Sequence, residues 1–186
     1  MANIMEWLRY SSSILLVFIL LAKASFCHGA TQGEFGSNSQ GDVEITLTLG
    51  LLTRITGLAD INFGNWTGGS LTSDQNICIG LYGTNNYRIT ATGSGDNSNV
   101  NSFALSNGVD YLPYRVFYND TSSTSGRVEL VSAQPLTGQT ASNAFWNIFG
   151  CLTTNANLSM LIEEPALLSV PPASYTGTLT LTIIPE

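Results

Sequence analysis

The side chains equipped for chemistry are few and poorly placed for it. The chain has one imidazole, His28, one amine, Lys23, and three thiols, Cys27, Cys78 and Cys151. His28, Lys23 and Cys27 fall within residues 1–30, which read as an export signal. Beyond Ala30 no imidazole or amine remains to act as a general base, to activate a Ser or Cys nucleophile, or to offer nitrogen to a metal. Carboxylates are what is left. Asp60, Asp74, Asp110, Asp120, Glu129, Glu163 and Glu164 are the candidates for a glycoside-hydrolase pair, which needs two acids facing one cleft. They are scattered through turn-like sequence, and the adjacent Glu163 and Glu164 point opposite ways on an extended chain, so they read as solubilising acids. Asp96-Asn97-Ser98-Asn99-Val100-Asn101 superficially resembles a calcium loop, but its alternate positions supply one carboxylate, and it reads as a solvated loop. Gly93-Ser94-Gly95 lacks the third glycine and the following helix of a phosphate cradle, and reads as a turn. The expectation is therefore a non-enzymatic chain with no catalytic residue, no metal and no cofactor.

Charge narrows the partners. From Thr31 onward four arginines (Arg54, Arg88, Arg115, Arg127) face twelve carboxylates, a net charge near −8. Such a chain cannot neutralise many phosphates, which argues against nucleic acid and anionic membrane as partners.

The N-terminus has the plan of a secretory signal: a charged start at Arg9, the apolar run Ile14 to Leu21, and small residues at its end. As a helix that run spans about 12 Å, too short for the roughly 30 Å hydrocarbon core. Residues 1–30 are expected to be removed on export, with Ala22-Lys23-Ala24 as the other candidate cleavage site. Cleavage after Ala30 leaves Cys78 and Cys151, and in an oxidising compartment one disulfide is the economical reading. It would close a loop of some seventy residues and stabilise by roughly 4 kcal/mol in the chain-entropy model. Two buried free thiols are the alternative.

The elements that must carry these residues read as strands. Thr31 to Asp42 is polar and rich in Gly, Ser and Asn, a flexible leader. In Val43 to Leu49 every odd position is apolar and every even one polar, the period of a strand with one buried face. The alternation returns at the C-terminus, with Tyr175, Leu179, Leu181 and Ile183 on one face and threonines on the other. Between them, Gln75 to Tyr82, Tyr87 to Thr92, Ser102 to Ser106, Tyr111 to Tyr118, Arg127 to Ser132 and Asn157 to Ile162 are short, β-branched or aromatic, and fenced by turn formers. Asn107-Gly108 signals a hairpin, and only Thr140 to Phe149 could pass for a short helix. An all-β antiparallel sandwich over residues 43–186 is expected. In it Trp66, Trp146 and the tyrosines serve chiefly in packing rather than as a sugar-binding platform.

Val43 to Leu49 has two readings, an ordinary first strand or a strand donated to a neighbour's open edge. Gly41 to Trp66, the strand QNICIGLYG around Cys78, YRITATGSG, Leu112 to Asp120 and the closing PPASYTGTLTLTIIPE together resemble the secreted pilins of the spore-coat-U type, subunits of archaic chaperone–usher pili. The matching motifs are the alternating N-terminal segment, Ile61 to Gly64, Leu112 to Tyr114, and Pro172 to Tyr175 with Ser174 in place of Gly. In that family the cysteine matched by Cys78 usually pairs with one in the first strand; here that strand, about Leu51 to Ile55, has none, which leaves Cys151 as partner.

The resemblance implies an incomplete immunoglobulin-like sandwich. Val43, Ile45, Leu47 and Leu49 would be the donor residues, and Tyr175, Leu179, Leu181 and Ile183 would line the acceptor groove. It implies a fimbrial subunit exported through the periplasm to the cell surface. Its partners would be a periplasmic chaperone, an outer-membrane usher, identical or related subunits, and a surface or glycan ligand. The alternative is a self-contained secreted carbohydrate-binding sandwich, lectin-like or a tip adhesin.

Overall fold

The computed structural model describes residues 31–150 and 152–186, and the chain divides after Thr48 into two units. The proposed signal at residues 1–30 and Cys151 lie outside the described residues. In the first unit, Thr31 and Asp42 exchange two main-chain bonds of 2.8 and 3.0 Å across the leader. No strand includes residues 43–50. The alternation of Val43 to Leu49 thus produces no strand within this chain, because an extended segment is fixed only by a neighbour that pairs with it.

The second unit is all-β and antiparallel with almost no helix. Its strands are β1 (Leu52–Thr56), β2 (Leu71–Tyr82), β3 (Asn86–Thr92), β4 (Ala104–Ser106), β5 (Tyr111–Pro113), β6 (Arg115–Asn119), β7 (Val128–Glu129), β8 (Pro135–Thr140), β9 (Ala156–Ile162) and β10 (Thr180–Pro185). Two helices of about a turn, α1 (Ala144–Asn147) and α2 (Glu164–Leu168), interrupt them. One sheet runs β1-β2-β9-β6-β7, a second runs β10-β3-β8, and β4 and β5 form a separate hairpin.

Alternation builds the core between the two sheets. Ile77, Ile79 and Leu81 of β2, Ala156, Leu158, Met160 and Ile162 of β9, and Val116 and Tyr118 of β6 meet Tyr87, Ile89 and Ala91 of β3 in one buried cluster. The Tyr87 and Tyr118 hydroxyls, 2.5 Å apart, join the sheets through the middle of it. Burial pushes the Tyr87 hydroxyl up to about 12, and it raises Tyr118 further still, so both stay protonated and one donates to the other.

Several expected boundaries shift for local reasons. The segment Tyr111 to Tyr118 is two strands: at Tyr114 the chain leaves β5 and its pairing with β4, with the Tyr114 amide bonded to the Phe103 carbonyl, and enters the large sheet. Asn107-Gly108 does form a hairpin, but the loop has four residues; the Asn107 side chain accepts from the Val109 and Asp110 amides and Gly108 takes φ 95°. Arg127 to Ser132 shortens to β7. Thr140 belongs to β8, and left-handed Asn143 (φ 54°) delays the helix to Ala144. The last strand begins at Thr180 rather than Tyr175, because Thr176 is drawn instead to a bridge with Ser106. β8 and α2 carry no period-two or helical signal; Pro135 and Gly138 disguise the first.

Candidate functional site

The strand order leaves β1 at one edge of the large sheet and β10 at the edge of the small one, and these two edges lie against each other without main-chain pairing. Side chains directly opposite in a ladder share a face, so the register tells which way each strand looks. On β1, Ile55 sits opposite buried Ile79 and faces the core. On β10, Leu181 and Ile183 sit opposite Ala91 and Ile89 and face it too. None of the three is closed over: the burial of β1 and β10 never exceeds half-buried, whereas β3, β6 and β9 are buried throughout their inward rows and β2 is buried from Ile77 to Leu81. Leu179, just before β10, and Ile61 and Phe63, after β1, are half-buried against the same core. The result is a seam between two edges that pair with no further strand among the described residues, with apolar side chains beneath them.

The expected groove residues divide accordingly. Leu181 and Ile183 lie on the seam strand and Leu179 immediately precedes it. Tyr175 is a correction: it is not on β10, and its hydroxyl donates to the Pro171 carbonyl and accepts from Asn107 of the β4–β5 loop. Its place beside the hairpin follows from the Ser106–Thr176 bridge next to it. Val43, Ile45, Leu47 and Leu49, the expected donor residues, are 70, 87, 79 and 69% exposed, an apolar row with no partner strand among the described residues.

Cys78 is buried on β2 opposite Thr56 and is disulfide-bonded. The other half of its bridge lies outside the described residues. Nearby, the Asn155 amide bonds to the Ile77 carbonyl, and its side chain accepts from the Ile79 amide and donates to the Ile79 carbonyl at 2.8 Å each. A side chain here completes the β2 ladder where the main chain has ended. Sequence offered no signal for it, because its partner stands 76 positions away.

The carboxylates find structural work. Glu129 and Glu163 are brought together by Arg115, whose guanidinium reaches them at 2.5 and 2.9 Å. The hydrogen bond from Arg115 holds Glu129 below the usual carboxylate range, so it offers no proton to a leaving group. Asp96 accepts from the Ser98 amide and hydroxyl, the Asn99 amide and the Ser102 hydroxyl. Those bonds hold its carboxyl well below the usual range and commit both oxygens to closing the loop. Gly93 is needed there for close approach: a Cβ would stand 2.0 Å from the Ser102 carbonyl. Among the described residues no group of three or more His, Cys, Asp or Glu could hold a metal. Tyr87, Tyr114 and Tyr118 are core residues and Tyr82 packs against Phe145, so they form no platform for a sugar.

No family model matches the chain, and no curated protein matches it. Among solved structures it is similar to a chain of a chaperone–tip adhesin complex of CFA/I fimbriae, with a TM-score of 0.46 and 16% identity over 72% of this chain. The match covers 42% of that chain, so this one spans less than half the length of its counterpart.

Proposed function

We propose that the chain is a non-enzymatic structural subunit of an extracellular adhesive pilus, assembled by donor-strand exchange through a chaperone–usher pathway. The observation that carries the proposal is the pairing of two unsatisfied features: an open apolar seam between β1 and β10, and an exposed alternating segment outside both sheets. The donor row of one subunit enters the seam of another, with Val43, Ile45, Leu47 and Leu49 turned to the core and the main chain extending the sheets. Burying four such side chains is worth roughly 6 to 10 kcal/mol before ordering costs, enough to make the exchange effectively one-way. A chaperone strand would hold the seam during export, after a signal at residues 1–30 is removed, and an usher would deliver the subunit to the surface. Within the subunit, Cys151 is the proposed partner of Cys78, a pairing supported by the run of Asn155 beside residues 77–79.

A synthetic peptide of residues 42–50 tests the exchange. It should bind the chain deleted of residues 42–49 and raise its unfolding temperature, and a peptide with Ser at positions 43, 45, 47 and 49 should do neither. Equal binding of the two peptides would remove the donor role.

A further inference from the structure

The short tether between the donor row and β1 constrains how neighbouring subunits meet, a constraint that rests on the donor-strand proposal. Let the upper end of the sandwich be the one where β2 turns into β3 through residues 83–85. β1 starts there, with Leu52 opposite Tyr82, and β10 ends there, with Pro185 opposite Tyr87, so the two seam strands run in opposite directions. A donor strand between them follows one of two courses. Only Gly50 and Leu51 separate Leu49 from Leu52, and three residues of chain reach no more than about 11 Å. If the donor ran parallel to β10, Leu49 would emerge at the acceptor's upper end, with the upper end of the donating subunit within that reach. The acceptor's own donor row leaves from the same end, so three subunits would crowd into one place. Running antiparallel to β10 instead, the donor emerges at the lower end, and the upper end of each subunit seats on the lower end of the one it completes. That course repeats head to tail without collision and gives β10 the more stable, antiparallel pairing.

The upper end carries an exposed aromatic cluster. The ring of Tyr82, at the end of β2, lies 5.8 Å from that of Phe145 in α1, and Phe145 stands edge-on to Phe149 at 5.8 Å. Phe145 and Phe149 are 46 and 78% exposed, and Leu51 and Leu52, at the root of the tether, are more than half exposed. Leu51 lies over the turn that follows Tyr82: a Cβ at Gly83 would stand 2.6 Å from its Cδ2. At the lower end, just past the last residue of β1, Leu58 is 49% exposed, and its neighbour Ala59 is held to β2 by two bonds with the Gln75 side chain. Leu58 thus stands at the mouth from which the donor row emerges. We infer that the Tyr82, Phe145 and Phe149 cluster of one subunit packs around Leu58 of the subunit it completes, a second interface between copies of the chain beside the donor strand. The tether selects the occupant: with the donor row seated, its reach of about 11 Å brings these two ends together, so a second copy covers the aromatic face. Burial of the cluster stiffens a joint that two residues alone would leave free to pivot.

Paired cysteines in polymers of the full chain test the contact. Phe149→Cys combined with Leu58→Cys and treated with a short bismaleimide should give a ladder of covalently joined chains on a denaturing gel. Phe149→Cys alone, or combined with Thr137→Cys on the β8 edge, should give no ladder beyond that of the wild type. Phe149→Asp, a change at the surface, should still polymerise, and in the chain deleted of residues 42–49 it should still bind the residue 42–50 peptide. In electron micrographs of its polymers the spread of angles between neighbouring subunits should widen. Polymers that form without the ladder, or whose angular spread is unchanged in Phe149→Asp, overturn the inference and leave the donor-strand proposal standing. Absence of polymers from the wild type brings down both.

Discussion

The two sheets each have one edge at the seam and one edge away from it, and the two kinds of edge are built differently. At the seam, β1 and β10 present edges that pair with no further strand among the described residues, above half-buried Ile55, Leu181 and Ile183. At the far edges, β7 has two residues, with Glu129 tied to Arg115. β8 begins at Pro135, carries left-handed Gly138 (φ 71°), and pairs with β3 through a register shift between Tyr87 and Ile89. Shortness, charge, proline and a bulge are the usual means of stopping a sheet from growing. One side of the sandwich is thus closed to further strands and the other is left open. An ordinary secreted sandwich protects every edge; a sandwich that assembles through its strands leaves open the edges it uses.

The largest expected effect breaks the comparison at its donor. Deleting residues 42–49 should leave a subunit that no longer polymerises, while Thr137→Lys on the exposed edge of β8 should leave polymerisation unchanged; light scattering of the two variants beside the wild type reads both. Polymerisation of the deletion variant at the wild-type rate would end the donor proposal. Next in size is Leu181→Asp in the seam. It places a charge where the donor row must bury and should weaken binding of the residue 42–50 peptide by ~100-fold or more, of the order expected when a charge is buried unpaired. The same variant should cost the isolated subunit less stability than Ile89→Ala, which empties a closed part of the core and is expected to cost about 2 to 5 kcal/mol. Urea unfolding of the two variants checks the order, and the reverse order would mean that the seam is already closed.

The open side was more legible in sequence than the closed one. The alternation in Leu179, Leu181 and Ile183 marked a strand with one apolar face, and β10 is that strand with a later start. Val43 to Leu49 carried the same signal but no information about its partner, since a period of two fixes a face and not a neighbour. The closed edges were largely invisible, because the residues that blunt a strand, Pro135 and Gly138 in β8, are those that argue against one. The carboxylates were read as scattered solubilising acids, yet Glu129 and Glu163 meet at one guanidinium. Their clustering around Arg115 depends on strand order, which no local pattern states. The contact of Tyr82 with Phe145 was missed for the same reason, as the two are far apart in the chain and adjacent only in the fold.

A smaller effect separates the two halves by pH. Tyr87 and Tyr118 belong to the closed core, and burial raises both hydroxyls above their unfolded value near 10. A group with a raised folded pKa contributes fully below its unfolded pKa and loses that contribution as pH rises through the folded one. Stability should therefore hold to about pH 10 and fall toward pH 12 and beyond, in the subunit and in the peptide-bound form alike. Tyr118→Phe should lower stability at neutral pH by about 1 to 3 kcal/mol, because the Tyr87 hydroxyl is left buried without its partner, and should make the alkaline fall shallower. Denaturant titrations at neutral and alkaline pH read both.

The smallest effect lies at the blunted edge itself. Arg115 lowers the Glu129 carboxyl from its usual value of 4.5, so the contribution of this pair is present above about that pH and fades as pH falls through the depressed value. Both side chains are more than two-fifths exposed, and solvent and salt screen them, so the acid loss should be slight and should shrink further in high salt. Glu129→Gln should flatten the acid side of the stability profile while leaving the residue 42–50 peptide bound as before. If that substitution instead opened the β7 edge, the variant would add strands there, and light scattering would show association that the peptide does not block. That outcome would make the pair a guard on the edge rather than a minor contributor to stability, and would show that charge, beyond the shortness of β7, is what closes this side of the sandwich.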